Sequence, residues 1–516
     1  MLDNIKINEK PIRIRRALIS VYDKTNIDQL AKSLLKNDCE IISTGGTSEA
    51  LKKYNIPFTD LNDFTGFPEM MDGRVKTLNP KVAGGILGLR DIHSDEITQN
   101  NIQTIDLVVC NLYPFARAIQ QDNCSLANAL ENIDIGGPTM IRSAAKNIGW
   151  SCVVVDPNDY PLLSEQLNKS GRLSYEFRVD MSRKAFSITA QYESTIDRYL
   201  SDDDFPENLN LSYTKFQDLR YGENPQQKSS VYQDDSSYGI LNSRIHQGKQ
   251  LSYNNIMDGD AAVSCLTEFN DPGCVVIKHA NPCGAATNDN IDDAFKRAIE
   301  ADKLSAFGGI IALNRECTEF IANYLDSFFI EIIIAPSFSD RALEIFKNKK
   351  NLRVVQIHNI DNFKANTSVR NIHGGLLLQQ EDQIILNPDL LKTVTQSTID
   401  DSILNTICFG WSVLKFIKSN AILIAKDCAT LSVGAGQVSR VDSVDIALSK
   451  LNDNLDGAVL LSDAFFPFRD SIDKIAHSGI KTVVQPGGSV KDSEVIDACN
   501  QFGIAMLFTG SRCFRH

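Results

Sequence analysis

The sequence predicts an α/β protein, a mostly parallel sheet covered by helices and divided into more than one domain. Three observations lead there. The first two hundred residues alternate short apolar runs with amphipathic segments, the pattern of strands joined by crossover helices. Glycine-containing turns follow apolar runs at STGGT, FNDPGCVVIKHANPCGAA and VGAGQVSRVDS. The chain has 516 residues, beyond the roughly 250–300 at which one hydrophobic core stops growing.

RRALISVYD is a β-like run. NIDQLAKSLLKND has helical spacing through Ile27, Leu30, Ala31, Leu34 and Leu35. CEIIST is β-like again and SEALKKY helical. IDLVVCNLYPF and SCVVVD are further buried strands. FFIEIIIAPSF, interrupted by Glu331 and ended by Pro336, is a buried strand of a large sheet rather than a membrane span. The acidic segment SDDDFPENLN, Ser201 to Asn210, breaks the pattern, so the main boundary falls there: one domain over 1–205 and a second region over 206–516. The recurrence of strand and Gly-turn suggests two related α/β units in that region, with a split near 370.

Composition narrows the class. Hydrophobic residues are 43% and charged residues 23%, as in globular proteins. MLDNIKINEKPIRIRR has no apolar core, so a secretory signal is not expected; KPIRIRR reads as a solvated tail. The 12 cysteines form no C-x-x-C pair, which suits neither structural zinc nor a redox pair and fits a reducing, cytoplasmic compartment. They are expected mostly buried. Net charge is −13, from 65 acidic and 52 basic residues. Such a chain is a poor general binder of nucleic acid, and an anionic ligand needs local clusters of Lys, Arg and backbone N–H.

Three segments supply such a cluster. SVYDKT carries Ser20, Asp23, Lys24 and Thr25 after a strand. STGGT places Ser43, Thr44, Gly45, Gly46 and Thr47 between strand and helix, where unpaired N–H groups and the helix dipole favour an anion. DGRVKT holds Arg74, Lys76 and Thr77. Each is weak alone; three in one domain point to a phosphate. Neither the triphosphate nor the dinucleotide glycine pattern is present, so a monophosphate is expected. NLYPF then offers Tyr113, and NIDIGGPTMIRSAAKN offers Asp134 and a helix bearing Arg142 and Lys146, with Pro138 in its first turn. A Lys beside Tyr and Asp can move protons. On spacing alone, an exposed helical Lys146 and a core Tyr113 are the favoured reading.

The second half holds VVIKHANPCGAA. Lys278 and His279 end a strand, where α/β sheets bind ligands, and His279 is one of 7 histidines. In FFPFRD, Phe465, Phe466 and Phe468 offer flat apolar surface for a heterocycle, and Arg469 and Asp470 offer charge. A core aromatic cluster capped by an ion pair is the plainer alternative.

STGGT, GFPEMMDGRVKTLNPKVAGGIL, CNLYPF, ENIDIGGPTMIRSAAKN, LRYGENPQQ, KHANPCGAA, SAFGGIIALNR, GAGQVSRVDS, SDAFFPFRDSID and QPGGSVKDSEVI occur in order along nearly the whole chain. Together they resemble the bifunctional purine-biosynthesis family that joins phosphoribosylaminoimidazolecarboxamide (AICAR) formyltransferase to IMP cyclohydrolase. The resemblance implies a methylglyoxal-synthase-like cyclohydrolase domain followed by two cytidine-deaminase-like units forming the formyltransferase. It implies 10-formyltetrahydrofolate as formyl donor, formyl-AICAR as intermediate, IMP as product, and a homodimer with formyltransferase sites across its interface. Ser20, Lys24, Ser43, Gly45, Gly46, Thr47, Arg74, Lys76 and Thr77 would hold the nucleotide. Lys76, Tyr113, Asp134 and Lys146 would be catalytic, with Cys110 and Asn111 nearby. Arg220 and Tyr221 would meet the AICAR phosphoribosyl part, Lys278 and His279 would be the catalytic pair, and Gly308, Glu331, Asn420, Gln437, Arg440, Phe465 and Asp470 would line the pocket.

The implied deaminase-like fold raises the question of zinc. Zinc deaminases use H-x-E with P-C-x-x-C. Here Pro282-Cys283 has no second Cys at that spacing and no H-x-E exists, so no catalytic metal is expected. A zinc nucleoside deaminase is thereby disfavoured, and the retained catalytic sets count against a nucleotide sensor without turnover. Asn79 and Ala83 stand where the family usually has His, Cys513 replaces a frequent His, and Tyr22 a frequent Ser.

Overall fold

The computed structural model describes residues 6–121, 124–234, 236, 238–358, 360, 367–451 and 455–516. The first five residues of the opening segment, read as lacking a signal, lie outside that set. The chain divides into two compact units, 1–212 and 213–516.

The first unit is built on five parallel strands in the spatial order Thr59–Asp60, Glu40–Ser43, Arg16–Val21, Leu107–Asn111 and Cys152–Val154. Alternate residues feed cores on opposite faces. Ala17, Ile19 and Val109 pack with Ile27, Leu30 and Leu34 of the helix Ile27–Lys36. Leu18, Ile42 and Val108 pack with Val82, Ile86 and Met140 on the other side. Burial on both faces explains why these strands read as continuous apolar runs. Order reverses on either side of Arg16–Val21, so the crevice for a ligand opens at its C-terminal end.

The opening basic segment corrects the expectation of a solvated tail. Ile12–Arg13 pairs antiparallel with Arg172–Leu173, and Ile12 and Ile14 are buried while Arg13 and Arg15 are exposed. The alternation I-R-I-R is a two-residue period, which places one side of a strand on the core. Arg178, fully buried, donates to the carbonyls of Asn8, Lys10, Ile148 and Leu173 and ties the segment down.

The second unit repeats one plan twice. Helix Tyr253–Leu266 leads to the hairpin Gly273–Lys278 and Asn281–Thr287, helix Ile291–Ala301, then strands Ile310–Leu313, Ile332–Ala335 and Arg353–Gln356. Helix Leu404–Leu414 leads to the hairpin Ile422–Lys426 and Ala429–Gly434, helix Arg440–Ser449, then strands Val459–Ser462, Thr482–Gln485 and Ala505–Phe508. In both copies the hairpin's first strand pairs antiparallel with the third strand, and the last three are parallel. The copies join through Asn281–Thr287 and Ala429–Gly434 into one 12-stranded sheet. The sequence suggested two related units but matched the wrong segments. The structural counterpart of VVIKHANPCGAA is ILIAKDCATLSVG, which has neither His nor an early glycine, rather than VGAGQVSRVDS.

Ile332–Ala335 is fully buried, as FFIEIIIAPSF implied, and most cysteines are buried. No described helix is long and apolar enough to cross a membrane.

Candidate active sites

In the first unit, the helix Gly45–Lys53 begins at the C-terminal end of its strand, with Thr44 as N-cap. Gly45 has φ of +55°, and a Cβ there would lie 2.8 Å from Lys76 Nζ. A Cβ at Gly46 would lie 3.8 Å from Lys24 Nζ. Two ammonium groups therefore stand over the helix N-terminus, where free N–H groups already favour an anion. Lys76 is paired with Glu69 at 2.8 Å, Lys24 donates to Tyr22 O at 3.1 Å, and Arg74 pairs with Glu131. An incoming phosphate would compete with these carboxylates and that carbonyl.

Several of the expected binding residues have their side chains committed to the scaffold. Ser43 is buried and donates to Ile19 O at 3.1 Å; Thr47 Oγ1 accepts from Val21 N–H at 2.9 Å and donates to Val21 O. Asn111 Oδ1 accepts from the N–H groups of Tyr22 and Asp23 at 2.7 and 2.8 Å, holding the loop after Ser20. Cys110 is buried, and burial pushes its thiol up, away from the reactive thiolate. These residues shape the cradle, and Ser43 and Thr47 can reach an anion only through backbone N–H.

Asp134 sits half-buried ahead of the helix Gly136–Lys146. Its carboxylate accepts from Gly137 N–H at 2.8 Å, and Tyr192 Oη accepts from the Asp134 N–H at 2.7 Å. Burial raises its pKa, against the N–H groups of Gly137 and Tyr113. A Cβ at Gly137 would fall 2.5 Å from Asp134 Oδ2, so a side chain there would push the carboxylate aside. Tyr113 is exposed, edge-on to Tyr22 with ring centroids 5.5 Å apart, and is not a core aromatic. Thr77 packs on Gly136. The strand end and the helix start thus gather Lys76, Thr77, Tyr113 and Asp134. Lys146 is exposed in the helix's last turn. At a rise of about 1.5 Å per residue it lies roughly 15 Å along the axis from Gly136, so the structure does not bring it to Asp134.

Asn79 caps the helix Pro80–Leu87 by accepting from Lys81 N–H at 2.8 Å. It and Ala83 line an apolar cavity of about 290 Å³ with Thr77 and Met140.

In the second unit, Lys278 and His279 enter the corner of the first hairpin. His279 and Ala280 have φ of +52° and +56°, the left-handed pair that a two-residue hairpin turn needs. His279 is exposed there. Lys278 Nζ donates to Phe307 O at 2.9 Å and lies 3.2 Å from where a Cβ of Gly308 would be. Glu331 accepts from Asn255 Nδ2 at 2.8 Å, and Arg353 is 3.7 Å away. Asn281 Oδ1 accepts from Lys418 N–H at 3.0 Å, linking the corner to the segment that leads to Asn420 in the other repeat.

Beyond that segment is a cavity of about 710 Å³, lined by Asn420, Arg440, Phe465, Phe468, Asp470 and Arg512 among others. This volume is in the range of small-molecule sites. Arg440 is buried, donating to Ser462 Oγ and Asn420 Oδ1, both at 2.8 Å, and pairing with Asp463. Asn420 Nδ2 donates to Gln437 O at 2.9 Å and to Val438 O at 3.1 Å. Asp463 is fully buried and receives Ser419 Oγ as well. It holds this wall together, although nothing in SDAFFPFRD distinguishes it from a turn aspartate. Cys513 is buried beside it, its N–H donating to Asp463 O at 3.0 Å.

Two expectations about FFPFRD need correction. Phe466 is fully buried in the core, so only Phe465 and Phe468 can face a ligand. Strand and turn geometry point neighbours to opposite sides. Arg469 is bound to Asp473, with Nη2–Oδ1 of 2.8 Å, rather than offered to a ligand. Arg220 stacks over Tyr221 at 5.6 Å; both stand in the segment after the strand Thr214–Leu219. Among the described residues, no three His, Cys, Asp or Glu are grouped to hold a metal. Burial pushes the Cys283 thiol up to about 12.

Residues 144–450 match the family described as AICARFT/IMPCHase bienzyme. Residues 26–139 match the MGS-like domain family. The bifunctional purine biosynthesis protein PurH of Acetivibrio thermocellus is 46% identical over 514 residues, 98% of this chain and 100% of that protein. A solved structure described as the crystal structure of ForH is 34% identical, covering 36% of this chain and all of its own, with a TM-score of 0.34.

Proposed function

The chain belongs to the AICARFT/IMPCHase bienzyme family, and from that premise we propose that it catalyses two consecutive steps of purine biosynthesis. It transfers a formyl group from 10-formyltetrahydrofolate to AICAR and then closes formyl-AICAR to IMP with loss of water. The first unit is the cyclohydrolase and the second the formyltransferase. The protein works in the cytoplasm as a homodimer, without a catalytic metal, as the family resemblance and the missing H-x-E and P-C-x-x-C ligands of zinc deaminases imply.

In formyl transfer the AICAR amine attacks the formyl carbon and the bond from that carbon to folate N10 breaks. His279 takes the amine proton as the new C–N bond forms and returns it to N10 as tetrahydrofolate leaves. Lys278, held over Gly308, stabilises the oxyanion. The cavity beside Asn420 takes the folate, with Phe465 and Phe468 against its ring system. Arg220 and Tyr221 meet the phosphoribosyl group of AICAR, and Glu331 and Gln437 complete the pocket. What carries this reading is the left-handed corner that exposes His279 beside Lys278, linked by Asn281 to that cavity.

In cyclisation the carboxamide nitrogen attacks the formamide carbon of the same molecule. Lys24, Lys76 and the Gly45–Gly46 N–H groups hold the phosphate. Asp134, kept out of bulk water, and Tyr113 move the protons that let water depart. Lys76 also polarises the formyl oxygen. A spectroscopic assay with AICAR and 10-formyltetrahydrofolate, repeated with formyl-AICAR alone, tests both activities. Absence of turnover in either arm would contradict the assignment of that unit.

A further inference from the structure

The duplicated unit contains its own control for the catalytic corner. Asp258 lies on the helix Tyr253–Leu266, beneath His279 and Ala280. Ala280 N–H donates to Asp258 Oδ1 at 2.8 Å, and the His279 N–H is also directed at this carboxylate. An acceptor placed there holds two non-glycine residues in a conformation they rarely adopt.

In the other repeat, Asp427 and Cys428 form the same corner, with φ of +50° and +55°. Lys426 stands where Lys278 does, each paired with the first residue of the returning strand. Cys428 N–H donates to Thr406 Oγ1 at 3.3 Å. Thr406 precedes Lys426 by the same chain length as Asp258 precedes Lys278, near the start of the corresponding helix. A neutral hydroxyl therefore suffices to hold such a corner. What a carboxylate adds at 258 is negative charge.

That charge sits among few others. Burial raises the Asp258 pKa, and the Ala280 N–H and the charge of His279 oppose the rise. Lys278 flanks it on the hairpin. Glu331, ahead of the strand Ile332–Ala335, acts on it with the opposite sign to His279, and Arg353 stands 3.7 Å from Glu331.

We infer that Asp258 is a positioning residue for formyl transfer: its carboxylate fixes the His279 corner and stabilises the imidazolium formed when His279 accepts the amine proton. Asp258 touches neither substrate in this account and acts through His279. The inference rests on the proposed role of His279 as base.

The test is the pH dependence of kcat for formyl transfer in the wild type, His279→Ala, Asp258→Asn and Asp258→Thr. The threonine variant copies the acceptor used in the other repeat. An anion favours the protonated ring, so its removal moves the acid limb of the profile to lower pH. Both Asp258 variants should show that shift and lose about 10–100-fold in kcat. Asp258→Thr should keep KM for AICAR within about threefold, since its corner is still held. A wild-type limb and kcat in both variants would overturn the inference. So would lost activity with raised KM and no shift in pH, because Asp258 would then be a structural acceptor alone. Full formyl transfer by His279→Ala would instead overturn the role of His279 on which the inference stands.

Discussion

The two hairpin corners of the second unit share a backbone and differ in chemistry. Lys278, His279 and Ala280 rise over a carboxylate, with the glycine Gly308 leaving room for the lysine. Lys426, Asp427 and Cys428 rise over a hydroxyl. The walls differ too. After the strand Val459–Ser462, Asp463 forms a buried pair with Arg440. After the corresponding strand Ile310–Leu313 stands Asn314, which spends its amide on Gly273 N–H at 2.7 Å and on the carbonyls of Phe269 and Asp271. The scaffold occurs twice, and a few side chains distinguish the corner that we propose as the reaction site.

The largest expected contrast is between the corners themselves. His279→Ala should lower formyl transfer about 10²–10⁴-fold, while Asp427→Ala should leave it within about twofold, measured as initial rates with both substrates saturating. An equal loss in both would erase the distinction. Next in size are the walls. Asp463→Ala leaves the Arg440 guanidinium buried without its partner, which typically costs about 3–5 kcal/mol. Asn314→Ala loses neutral hydrogen bonds at about 1–3 kcal/mol each. Denaturant titration of the second unit's transition should show both losses.

A smaller contrast separates neighbours in FFPFRD. Phe466→Ala should destabilise the unit by about 3–5 kcal/mol by opening a cavity. Phe465→Ala should change stability by less than about 1 kcal/mol and raise KM for the folate donor. Smallest is a contrast with the other unit. Asp134→Asn should slow cyclisation about 10²-fold and leave formyl transfer unchanged. If Asp134 works ionised, wild-type cyclisation falls as pH drops through a value above that of an ordinary aspartate, because burial holds its pKa up.

The sequence revealed elements whose pattern is local. The period of Ile27, Leu30, Ala31 and Leu34 set a helix, and RALISV, LVVCN and IIIA set buried strands. Lys278 and His279 stand out as a candidate pair because they adjoin in the chain. Contacts between distant segments were not visible. Asp258 in SYNNIMDGD has nothing local to mark it, since its importance comes from meeting Ala280 across a helix–hairpin contact. Asp463 is marked only by Arg440 and Ser419. KPIRIRR misled because its charge suggested solvent, although Ile12 and Ile14 form an apolar side that pairs with Arg172–Leu173. The repeat is faint in the chain: between IKHANP and AKDCAT only Lys278 matches Lys426, with Ala280 and Cys428 alike in size.

The central claim is that two separate sites in one chain carry out consecutive reactions. Its most direct test mixes two variants, His279→Ala and Asp134→Asn, with AICAR and 10-formyltetrahydrofolate, and follows IMP. Each variant alone should yield almost none, and the mixture should restore IMP formation, because formyl-AICAR made by Asp134→Asn is closed by His279→Ala. No IMP from the mixture, with each variant folded and its remaining half-reaction intact, would contradict the account.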